Sequence, residues 1–97
     1  MFIVFLKLTD RRDQAAALMD GHNAWLRQGF EDGVFRLAGS LSPGPGGAVI
    51  ASGLSRHQIE DRVSTDPFVI QGVAIPEIFE VTPSRLDPRL DFLQNPA

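Results

Sequence analysis

The chain has 97 residues, 43% of them hydrophobic, and a formal net charge of −3, which suits one domain with its own core. It contains no cysteine, so disulfides, thiolate metal sites and a cysteine nucleophile are excluded. Lysine and arginine are scattered with no basic run, so neither nucleic acid nor an anionic membrane is expected as a partner.

Phe2 to Leu8 is a continuous β-favouring run. The stretch after Met1 has no basic lead and is too short for a signal peptide or a membrane span, so a cytoplasmic protein is expected. Thr9-Asp10 breaks the strand and supplies a cap for a helix, with Asp13 in its first turn. Winding Arg12 to Phe30 at about 100° per residue puts Ala15, Leu18, Met19, Trp25, Leu26 and Phe30 on one apolar stripe, with His22 in its middle. A titratable ring is thereby aimed at the interior. Burying it without a partner costs roughly 1–3 kcal/mol, so the fold has to supply a hydrogen bond, a carboxylate or a pocket.

The helix is expected to fade between Gly29 and Gly33, ahead of a second strand from Val34 to Leu41. The turn-rich Ser42-Pro43-Gly44-Pro45-Gly46-Gly47 then joins it in a hairpin to a third strand, Ala48 to Ser52. A phosphate-loop reading of these glycines fails, because the Lys-Ser/Thr pair is missing and a strand follows where a phosphate cradle needs a helix N-terminus. Ser55 caps a shorter helix reaching about Val63, with Ile59 and Val63 facing the core. Asp66-Pro67 is a second helix start, an Asp cap followed by Pro at the first helical position, good for one turn through Ile70 before Gly72. Val73 to Thr82 reads as the last strand, and Pro76 within it argues for an edge, a bulge or an exchange between sheets. Residues 84–97 read as an extended tail. Leu86, Leu90, Phe92 and Leu93 give it something to bury, such as the surface of a neighbouring subunit.

The order β-α-β-β-α-β over residues 1–83 predicts a ferredoxin-like α+β fold, an antiparallel sheet with helices on one face. An antiparallel sheet with one wet face alternates polar and apolar residues, yet Phe2 to Leu6 is apolar on both sides. A second copy is the economical cover for the helix-free face, so at least a homodimer is expected.

The constellation that carries chemistry is His22 with Asp66, which this topology can bring to one end of the helical layer. A carboxylate bonded to one imidazole nitrogen fixes the tautomer and frees the other as acid or base. The plainer alternative is that Asp66 only caps the turn and His22 only satisfies a backbone carbonyl. Arg36 is a candidate for holding an anionic substrate group. Ser40 and Ser52 lie at strand ends beside the hairpin, without the context of a nucleophile elbow. Trp25, one turn beyond His22, is a candidate pocket wall, and Phe68 beside Asp66 joins the substrate-binding set. His57 reads as solvated. A metal site would need a third ligand beyond His22 and Asp66 that the sequence does not offer, and no cofactor is expected.

These residues resemble the YciI-like family, the YCII-related domain. The resemblance rests on the opening strand, His22 followed by Leu26 and Gly29, Gly33 leading to Leu37-Ala38-Gly39-Ser40-Leu41, the small-residue strand Gly47 to Ser52, and Asp66-Pro67-Phe68 followed by Gly72. It implies a dimeric α+β barrel with a cleft in each subunit holding the family's histidine and aspartate, here His22 and Asp66. One relative is tied to dehydrochlorination of a chlorinated hydroxyquinol. The Pro/Gly hairpin and the tail beyond Pro83 depart from the family pattern. The combined expectation is an enzyme using a His-Asp pair for elimination or isomerisation of a small cyclic or carboxylated metabolite. The alternatives are a non-catalytic small-molecule binding module and a purely structural oligomer.

Overall fold

The computed structural model describes residues 1–94. Four strands, β1 (Phe2–Leu8), β2 (Phe35–Ser40), β3 (Gly46–Ala51) and β4 (Ala74–Glu80), alternate with helices α1 (Ala15–Glu31), α2 (Arg56–Val63) and α3 (Pro67–Ile70). The sheet runs β2-β3-β1-β4 with every neighbouring pair antiparallel. This is the ferredoxin-like α+β arrangement expected from the element order. The helix-side face carries Phe2, Val4 and Leu6 of β1, with Val49 and Ala51 of β3 beside them, all buried. These pack with Trp25, Phe35, Ile59, Val63 and Phe68 into one core.

Local chemistry sets the element ends. Ser55 and Gln58 form a reciprocal capping box at α2, and Asp66 caps α3 with Pro67 at its first position. Gly72 follows at φ +71, a left-handed conformation that only glycine takes without strain. The start of the first helix differs from the sequence expectation. Asp10–Gln14 is a separate 3-10 turn capped by the Thr9 hydroxyl, which accepts from the Arg11 N–H at 3.1 Å. That hydroxyl also donates to the Gly72 carbonyl at 2.7 Å, tying the end of β1 to the loop before β4. α1 ends at Glu31, inside the expected Gly29 to Gly33, and at Gly29 the helix lies flat on Phe35; a Cβ there would overlap the phenylalanine ring. Pro76 sits on β4, an edge strand paired only with β1, as its missing donor requires.

The tail is not extended throughout. Asp87 caps a 3-10 segment, Pro88–Leu93, whose Leu93 is buried apart from the helix-side core. Residues 95–97 of the expected tail lie outside the described residues. Among the described residues no helix is long and apolar enough to cross a membrane.

Candidate active site

α1 and α3 meet at a close approach beside Gly21, where a Cβ would stand 3.2 Å from Pro67 Cγ. One residue on, His22 Nδ1 lies 2.8 Å from Asp66 Oδ1. The same Oδ1 accepts the Phe68 N–H at 3.1 Å, so the aspartate is at once a helix cap and the partner of the imidazole. The Asp66 side chain is fully buried and that of His22 is 13% exposed. A carboxylate in its ionised form only accepts, so in that form Nδ1–H is the donor; Nε2 has no hydrogen-bond partner among the described residues. Asp66 Oδ2 is buried with no partner among them.

The ring is also held in orientation. Phe68 stacks on it with centroids 4.1 Å apart and planes within 2°, and Trp25 lies 5.9 Å away at 24°. Trp25 is itself fixed by donating from Nε1 to the Arg62 carbonyl at 2.9 Å.

His22 opens onto a cavity of about 370 Å³ between α1 and the sheet. Its roof is Met19, His22, Asn23 and Leu26 of α1 together with Phe68. The space exists because the floor is built of small residues. Ser40, Gly47 and Leu6 are aligned across three strands, and Ala38 lies beside Val49 in the neighbouring row.

The pattern of the YCII-related domain matches residues 1–82. The chain belongs to that family. Among solved structures, it is similar to 5-chloro-2-hydroxyhydroquinone dehydrochlorinase (TftG) from Burkholderia phenoliruptrix AC1100, in complex with 2,5-dihydroxybenzoquinone. That likeness has a TM-score of 0.70 at 15% identity, over 82% of this chain and 91% of the other. At that identity it establishes a shared fold. No curated protein matches the sequence.

In this YCII-related domain the expected residues separate into two places. His22, Asp66 and Phe68 come together, and Ser40 lines the same cavity. Trp25 stands against His22 and is absent from the cavity lining, so it supports the ring instead of walling the pocket. Arg36 is elsewhere. Its Nε donates to the Ser52 hydroxyl at 3.0 Å and its guanidinium lies 5.4 Å from the Phe92 ring, which makes it the docking point of the tail. Ser52 is buried there too, away from the cavity. His57 is exposed and faces Asp61 at 3.3 Å on its own helix. Asn23, Met19 and Gly47 line the cavity without having been singled out by the sequence. Asn23 adjoins His22 in the chain, which was the available signal for it. Among the described residues no group of three His, Asp or Glu side chains is placed to hold a metal ion.

Proposed function

We propose that this chain is a small-molecule enzyme in which His22 transfers a proton and Asp66 orients the imidazole and stabilises its cationic form. The supporting observation is the 2.8 Å contact from Nδ1 to a fully buried carboxylate, at the wall of a cavity sized for a small metabolite. With Nδ1 committed to Asp66, Nε2 is the atom that takes a proton from substrate carbon or oxygen and returns it to the leaving group or the neighbouring carbon. That chemistry serves elimination or isomerisation. The dehydrochlorinase that shares the fold, a protein named for loss of HCl from a ring, fits the first of these.

The working unit in this reading is a homodimer closed through the helix-free face of the sheet. Leu37, Ile50, Ile3 and Phe79 align there across all four strands, and Leu37 and Phe79 are 52% and 50% exposed. A second copy of the same row is the self-complementary cover such a patch calls for.

Incubating the protein with a small-metabolite extract in D2O, and following deuterium uptake and new masses, tests the catalytic reading without a known substrate. Wild type is expected to create labelled or lighter products that His22→Asn does not. Products formed equally by His22→Asn, or none with wild type, overturn it. A metabolite retained unchanged on the protein would mark a binding module.

A further inference from the structure

The charge of the cavity wall narrows the ligand class, an inference that rests on reading this cavity as the substrate site. The polar side chains lining it are His22, Asn23 and Ser40; the other lining residues are apolar or glycine, and no lysine, arginine, aspartate or glutamate is among them. The cations of the sheet and of α2 are paired elsewhere. Arg36 is held by Ser52 and Phe92, Arg62 pairs with Asp32 at 2.9 Å, and Lys7 pairs with Glu77 on the far face of the sheet. In the form that accepts a proton at Nε2, as the proposed reaction requires, His22 carries no charge, so an anionic group entering this space would exchange hydration for a wall without lysine or arginine. A cationic group fares no better, because Asp66, the nearby carboxylate, is absent from the lining and already engaged by His22.

We infer that the cavity selects small, uncharged molecules carrying hydroxyl or carbonyl groups and rejects carboxylates and amines of the same size. The Asn23 amide and the Ser40 hydroxyl offer both donors and acceptors to such a group. Depth is set by Ala38 and Gly47. At Gly47 a Cβ would stand 2.9 Å from the Gly39 carbonyl, so that position is fixed by strand packing, whereas Ala38 already carries a Cβ in the lining and is the position at which a larger side chain tests the size limit. Arg36, the residue expected to hold an anionic substrate group, is engaged by Ser52 and Phe92 and is not part of this wall.

The test titrates three ring probes of matched size, phenol, benzoate and benzylammonium, into the full chain at neutral pH, following the backbone amide resonances of Asn23 and Gly47 by NMR. Phenol is expected to shift them and to bind about tenfold or more tightly than either charged probe. Ala38→Leu, or the milder Ala38→Val should the first not fold, is expected to weaken phenol binding by filling the floor. Benzoate or benzylammonium binding as tightly as phenol overturns the inference, as does the absence of any shift, or phenol binding unaltered in the folded Ala38 variant. The series is repeated on His22→Asn, which separates this inference from the catalytic reading. Charge selectivity that persists without turnover in wild type leaves a neutral-ligand binding pocket. Turnover that depends on His22, with benzoate the preferred probe, leaves the enzyme and removes the selectivity.

Discussion

Asp66 carries two duties on one oxygen, and they respond differently to substitution. Asparagine is as good a helix cap as aspartate, so Asp66→Asn is expected to keep α3 and the fold while removing the charge that the proposed mechanism uses to orient and stabilise the imidazolium. Turnover should fall by about 10²–10⁴-fold, the usual worth of positioned acid-base catalysis. Asp66→Ala removes both duties. It is expected to cost roughly 1 kcal/mol for the cap and roughly 1–3 kcal/mol for an unpaired imidazole N–H, read from the midpoint of urea unfolding. Equal stability of the two variants would contradict the shared-oxygen geometry. His22 was legible in the sequence because a polar ring in an apolar stripe is a local anomaly, and Asp66 because Asp-Pro is a local start signal. Their contact was not, since it depends on Gly21 admitting Pro67 so close. Arg36 misled for a definable reason. Plain alternation along β2 would set residues 36, 38 and 40 on one face, but a register shift between Phe35 and Leu37 takes Arg36 out of that series.

At the scale of the elements, the cap and turn chemistry of α2 and α3 was read correctly from short-range patterns, because Ser55, Asp66 and Pro67 act on their own neighbours. The start of α1 was not, because Asp10–Gln14 winds as a 3-10 turn under the Thr9 cap, whereas its end at Glu31 falls inside the expected Gly29 to Gly33. The end of α1 is fastened to α2 by Asp32, whose carboxyl is held below its ordinary value of 3.8 by the Gln28 amide and then by the Arg62 guanidinium. A carboxylate with a depressed value stabilises the fold above its unfolded value and loses that contribution as pH falls through the folded one. Asp32→Asn is therefore expected to lower Tm relative to wild type at neutral pH. The difference should shrink only once the pH drops below 3.8; a gap that persists undiminished in stronger acid would assign the effect to something other than this ionised group.

For the molecule as a whole, the ferredoxin-like order and the doubly apolar first strand were legible because both are patterns of period and sequence order. The path of the tail was not, since Arg36 and Ser52 receive it from far along the chain. With Phe79 in the exposed row of the helix-free face, Phe79→Asp is expected to convert a dimer to a folded monomer, halving the mass seen by light scattering. A wild-type chain that is already monomeric at micromolar concentration would remove the dimer from the proposal. The cavity between α1 and the sheet has a further consequence for descent. The His22–Asp66 pair belongs to the helices and the cavity's contour belongs to the β2–β3 hairpin, so on the proposed function lineages can inherit the pair intact while drifting in what they accommodate. Diversification confined to residues 38–47 would then explore new ligand ranges without reopening the question of how His22 and Asp66 are held.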